Sequence, residues 1–193
     1  MPNKTEMEEF VVSLLNDKLP AWYYYHNCEH TLYVMEKAVE IAQQENCTEQ
    51  EIDLVRTAAL WHDVGCINKF KGHEEESCLF VQKYVPGYGY SDEAIDTICG
   101  MIRATKIPQT PHNKLEQIVA DADLEYLGTD TVDTKAELLY KELQSQTPHL
   151  TRHEWDRVQI SFIQKHRYFT RFCQQNREPA KSRYLDKLVK SFH

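Results

Sequence analysis

Glycine and proline are scarce in this chain, six and seven among 193 residues. That shortage removes the regular turn supply of a many-stranded sandwich or barrel. Long apolar runs are missing too: none approaches the ~18 residues of a transmembrane helix, and the opening MPNKTEMEEF has no basic stretch leading into an apolar one. The six cysteines, at 28, 47, 66, 78, 99 and 173, include no CxxC pair. Scattered through helix-like segments, they are expected to be small hydrophobes in a reducing cytosol rather than a disulfide framework. The expected location is therefore cytoplasmic, with no membrane partner. An excess of basic charge is also lacking, since the formal net charge is -8, which opposes non-specific binding to nucleic acid. The charge is uneven, however. Residues 151–193 hold ten Lys/Arg against four Asp/Glu.

What is present is helical periodicity. Apolar stripes predict helices over Thr5–Lys18, Glu29–Gln44, a segment capped by Thr48 and Glu51 and running through Leu60, His73–Tyr84, Ser91–Ala104, Lys114–Leu127, Thr134–Leu143, Trp155–Phe172 and Ala180–Phe192. Nothing reads as a strand, and no internal repeat or linker divides the chain. The expected fold is all-α, one compact bundle of about nine helices spanning residues 1–193.

Three places put metal-ligand residue types on faces that the periodicity makes apolar. His30 lies four before Val34 and eight before Ala38; His62 lies four after Ala58 and three after Ala59, with Asp63 next; Asp121 and Asp123 flank Ala122 among core formers. A buried carboxylate needs a compensating charge or loses its own. Two imidazoles with two carboxylates suit Mn, Fe, Ni or Zn better than Mg.

The ordered set His30, His62-Asp63 and Asp123 resembles the HD-domain superfamily of metal-dependent phosphohydrolases. Tyr25-His26-Asn27-Cys28-Glu29-His30 is similar to the YHNxxH signature of class I cyclic-nucleotide phosphodiesterases, and Leu60-Trp61-His62-Asp63-Val64-Gly65 to the second motif of the family. The likeness covers residues 22–128 as a metal-site core, with 129–193 packing on it, and the tail around His166-Arg167-Tyr168-Phe169-Thr170 resembles that of uncharacterised HD phosphohydrolases. The chain departs from the cyclic di-GMP-hydrolysing branch, because Cys66 stands where that branch has Lys.

The resemblance implies His30, His62, Asp63 and Asp123 as metal ligands, with Asp121 in the alternative VAD form as the other candidate for the last position. Asp63 is counted with His26 as catalytic, His26 as proton donor to the leaving oxygen. His73, eleven residues after His62, would serve a second metal; one ion is favoured over two. Arg103, Lys106 and Lys69, then Lys71, are the candidates for substrate phosphates. Lys165, Arg167 and Arg171 alternate with Tyr168, Phe169 and Phe172, a mixture that could stack a base or simply pack on the domain. His112, His149, His153 and His193 are expected to face solvent. The implied activity is hydrolysis of a small phosphorylated metabolite, a nucleotide by preference, through a metal-activated water. A non-catalytic nucleotide-binding module, a diiron oxygenase and a homodimeric state stay open.

Overall fold

A computed structural model describes residues 4–192, and every regular element in that range is helical. The α-helices are α1 (Lys4–Lys18), α2 (Cys28–Gln44), α3 (Glu49–Trp61), α4 (His73–Tyr84), α5 (Asp92–Ala104), α6 (Lys114–Asp123), α7 (Val132–Gln146), α8 (Arg152–Lys165), α9 (Arg171–Asn176) and α10 (Glu178–Phe192). His193 and its expected exposure lie outside the described residues. No helix among the described residues is long and apolar enough to cross a membrane.

Local chemistry sets the starts of the helices that matter for the site. Asn27 caps α2, accepting from the His30 amide at 3.0 Å while its own amide donates to Tyr24 O at 2.9 Å. Such a cap is worth about 1 kcal/mol, and here it also fixes the turn that carries His30. Thr48 and Glu51 form the expected capping box of α3, and Ser91 caps α5.

The core is made by α2, α3, α5 and α6, whose small and branched residues Val34, Ala38, Ile41, Val55, Ala58, Ile98, Ile102 and Val119 are wholly buried. Trp61 seals its edge against Phe10 and Tyr84. A second apolar cluster joins Tyr25, Leu124, Tyr126 and Leu127 to Ile163 of α8 and Tyr184 of α10.

Two expected helices end early. The Lys114 helix stops at Asp123 and continues as a 3-10 turn, Glu125–Gly128. The helix expected over Trp155–Phe172 breaks at His166, which adopts an extended conformation, and a short α9 follows. Tertiary partners take the backbone groups that a continuous helix would use. Asp121 accepts from the amides of Phe169 and Thr170, and Lys181 donates to His166 O. The tenth α-helix, one more than the sequence predicts, is that six-residue α9.

Candidate metal and active site

The first turn of α2, the end of α3 and the end of α6 converge. His30 is buried at the start of α2, and His62 and Asp63 are buried where α3 gives way to a 3-10 turn over Val64–Ile67. Gly65 makes that turn possible: a Cβ there would lie 2.0 Å from His73 O and 2.6 Å from Ser77 N. Ser77 clamps the turn by donating to His62 O at 2.6 Å and accepting from Gly65 N at 2.8 Å.

Around Asp63 the geometry is two-sided. Its Oδ2 lies 3.1 Å from His62 Nε2 and 3.5 Å from His30 Nε2, while its Oδ1 lies 3.3 Å from His73 Nε2. Asp123 Oδ1 stands 3.2 Å from His30 Nε2 and 3.6 Å from His62 Nε2. The atoms of His30, His62 and Asp123 are close enough together to hold one ion, and so are those of Asp63, Cys66 and His73.

The hydrogen bonds behind the imidazoles decide what their front faces can do. His62 Nδ1 lies 2.7 Å from Ala59 O and His73 Nδ1 lies 2.9 Å from Phe70 O. A carbonyl only accepts, so both Nδ1 atoms carry a proton, and in the neutral rings both Nε2 lone pairs face Asp63. His62 Nε2 and Asp63 Oδ2 are buried with no hydrogen bond despite their closeness. With the ring neutral these are two acceptors face to face, a pair that either a proton on His62 or a metal ion would join. This donor set fits a divalent transition metal; the second imidazole nitrogen of His62 is anchored as it is in metal sites, whereas His30 Nδ1 is buried without a partner.

Without a metal, protons must supply the positive charge. Burial opposes the imidazolium of His62, but Asp63 and Asp123 outweigh it and raise the pKa to about 10. Burial likewise opposes His73, and Asp63 and Cys66 raise it to about 12. Asp63, although buried, is held well below the ordinary carboxylate range by His62 and His26. Burial favours the neutral acid for Asp123 too, yet His30 and His62 lower it. His30 is lowered, burial being the main cause.

His26 stands at the mouth, its ring 5.9 Å from that of His30 and 5.6 Å from that of His73. Its side chain is 20% exposed, His73 is 18% and Asp123 15%, against 4% or less for His30, His62 and Asp63. Those three side chains are therefore the part of the cluster that solvent reaches. His26 Nδ1 pairs with Glu142, a wholly buried residue of α7.

The other candidates are placed as follows. Asp121 is committed elsewhere, since its carboxylate takes the Phe169 and Thr170 amides and the Thr170 hydroxyl at 2.7 Å. Burial raises it to about 6 against the pull of those donors. Arg103 binds Glu75 at 2.9 Å, and Lys69 pairs with Glu76, so both engage glutamates of α4 rather than a residue of the cluster. Lys106 and Lys71 are exposed, as are His112, His149 and His153. Tyr168 is buried in the main core, while Lys165, Arg167 and Phe169 line a separate cleft.

Sequence reasoning missed Glu142, Ser77 and Cys66. Glu142 lies four after Leu138 and three after Leu139, an inward position for a charged residue that helical periodicity could have exposed.

Comparison with known proteins agrees with this geometry. The HD domain family model matches residues 27–125, just over half of the chain. The chain belongs to the HD-domain family. Among solved structures, this HD-domain chain is similar to a predicted HD superfamily hydrolase from an uncultured Thermotogales bacterium, with 20% identity and a TM-score of 0.63 over 98% of this chain and 97% of that one. That likeness is one of fold. No curated protein matches the chain.

Proposed function

We propose that this HD-domain protein is a metal-dependent phosphohydrolase acting on a small phosphorylated metabolite of the nucleotide class, at a site formed by His30, His62, Asp63 and Asp123. The observation that carries the reading is the unpaired opposition of His62 Nε2 and Asp63 Oδ2 at 3.1 Å, within reach of His30 and Asp123. When bound there, a divalent ion such as Mn, Fe, Ni or Zn supplies Lewis acidity toward a phosphoryl oxygen and a water. A single ion is the primary expectation; the Asp63, Cys66 and His73 group is the place for a second.

The chain's own groups do the rest. Glu142 holds His26 Nδ1, so the His26 proton free for transfer is at Nε2, at the mouth of the site where a leaving oxygen would emerge. Burial opposes the charged imidazole, but Asp63 and Glu142 raise its pKa and keep it a proton donor. Ser77 and Gly65 fix the His62-Asp63 turn, and Asn27 fixes His30.

Elemental analysis of the wild type beside Asp63→Ala, followed by phosphate release from a nucleotide panel with added Mn, tests the proposal. About one ion per chain, lost in the variant together with turnover, is the expected result. No metal after reconstitution would leave a non-catalytic HD module as the better reading, and two irons with oxygen consumption would favour an oxygenase.

A further inference from the structure

A cleft of about 280 Å³ lies between the Ile107–Gln109 loop after α5, the end of α8 and the extended strip that follows it. Its walls are Phe162, Phe169, Ile107 and Pro108, and Lys165 and Arg167 line it as well. Two polar side chains in this lining are incompletely paired. Gln109 donates its amide to Ala120 O at 2.8 Å, which orients the side chain and leaves Oε1 as a buried acceptor without a partner. Lys181 donates to His166 O at 2.8 Å and lies 3.1 Å from His166 Nδ1. An ammonium only donates, so Nδ1 accepts and the imidazole proton sits on Nε2, which is buried and unpaired.

Two residues lining a cleft walled by two phenyl rings thus each carry a buried polar atom without a partner, one a donor and one an acceptor. Buried polar atoms without partners are uncommon in folded proteins and call for a specific explanation. We propose that the cleft is the subsite for a nucleobase, whose ring packs against Phe162 and Phe169 while its edge accepts from His166 and donates to Gln109. Adenine and cytosine each present a ring nitrogen beside an amino group, the required pair. Lys165 and Arg167, exposed cations in a chain of net charge -8, give the cleft the local positive potential that an anionic nucleotide needs.

The cleft is tied to the metal-site residues through α6. Ala120 O anchors Gln109, Asp121 anchors the Phe169–Thr170 strip, and Asp123, two residues on, faces His30. Asp123 is also near enough to act on the charge of His166. The assignment rests on the phosphohydrolase reading for its phosphate end, but its base end can be tested alone.

The probes are adenosine and cytidine, which carry no phosphate, titrated calorimetrically into the Mn-loaded protein with ribose as control. Either nucleoside should bind the wild type and bind about tenfold more weakly to His166→Leu and to Gln109→Met, the loss expected for one hydrogen bond. Arg167→Glu, a change at an exposed residue of the lining, should weaken adenosine 5′-monophosphate more than adenosine. If neither nucleoside binds, or if both bind these variants as well as the wild type, the cleft holds only water and the proposal falls. The two readings fail separately. Nucleoside binding that the variants weaken, without phosphate release from any nucleotide, would keep the subsite and sink the phosphohydrolase. Hydrolysis of ribose 5-phosphate as fast as of its nucleotides, unaltered in the variants, would do the reverse.

Discussion

Glu142 reaches across 116 residues of sequence to hold His26 twice, accepting from its backbone amide at 2.9 Å and pairing with its imidazole. The same carboxylate accepts from the Tyr25 amide at 2.8 Å. One buried acid thus fixes the backbone entering α2 and the ring that stands at its mouth, linking the C-terminal half of the chain to the proposed chemistry.

Glu142→Gln should therefore lower kcat by about ten- to a hundredfold while metal content is kept, the range seen when groups supporting a site are removed. The pH profile separates this from simple loosening. Glu142 helps to raise the His26 pKa, so its removal lets the ring lose its proton at lower pH. The alkaline limb of the kcat/KM profile should move to lower pH; an unmoved limb would assign Glu142 a structural part only.

Helical spacing alone was enough to put His30 and His62 inside, and the Thr48/Glu51 capping box and the Ser91 cap were readable because such signals are local. The all-α class followed from the same periodicity and the shortage of turn residues. Long-range events were not readable. Tyr168 and Phe169 looked like neighbours on one amphipathic helix, but Asp121 draws their backbone into an extended strip that sends Tyr168 to the core and Phe169 to the cleft. The same contact separates Asp121 from Asp123, of which the sequence favours Asp123 and keeps Asp121 as the alternative.

That separation predicts opposite phenotypes. Asp121→Ala leaves the Phe169 and Thr170 amides without their acceptor and should cost about 1–3 kcal/mol, with metal content unchanged. Asp123→Ala removes a carboxylate facing two imidazoles and should lower metal content without a comparable loss of stability in the metal-free protein. Urea unfolding and elemental analysis on both variants check this; loss of metal in Asp121→Ala with metal retained in Asp123→Ala would reverse the assignment.

Gly65 and Gly87 provide a matched pair. At Gly65 a methyl group meets two backbone atoms of α4 at 2.0 and 2.6 Å, whereas at Gly87 it meets nothing within 4 Å. Gly65→Ala must push α4 away from the His62-Asp63 turn and should cost about 3 kcal/mol, the upper part of the usual overpacking range, with a fall in metal affinity. Gly87→Ala should stay within about 0.5 kcal/mol of the wild type. Thermal and urea melts of the two variants decide it; equal stability would mean that α4 does not press on the turn.

Acid stability should carry the mark of His166. Burial, and then the Lys181 ammonium beside it, lower its pKa to about 3, whereas an unfolded histidine titrates near 6.5. Between those values the unfolded chain binds a proton that the folded one refuses, so stability is fully present above about pH 6.5 and falls as pH drops toward 3. The slope from this one group approaches one proton in the middle of the window. His166→Leu removes it, so the gap in unfolding free energy between wild type and variant should shift in favour of the variant as pH is lowered from 7 to 4.5. Urea titrations at pH 7, 5.5 and 4.5 measure that gap directly. A gap that stays constant would mean that His166 takes up its proton in the folded state as readily as in the unfolded one, and that Lys181 does not hold Nδ1 as an acceptor.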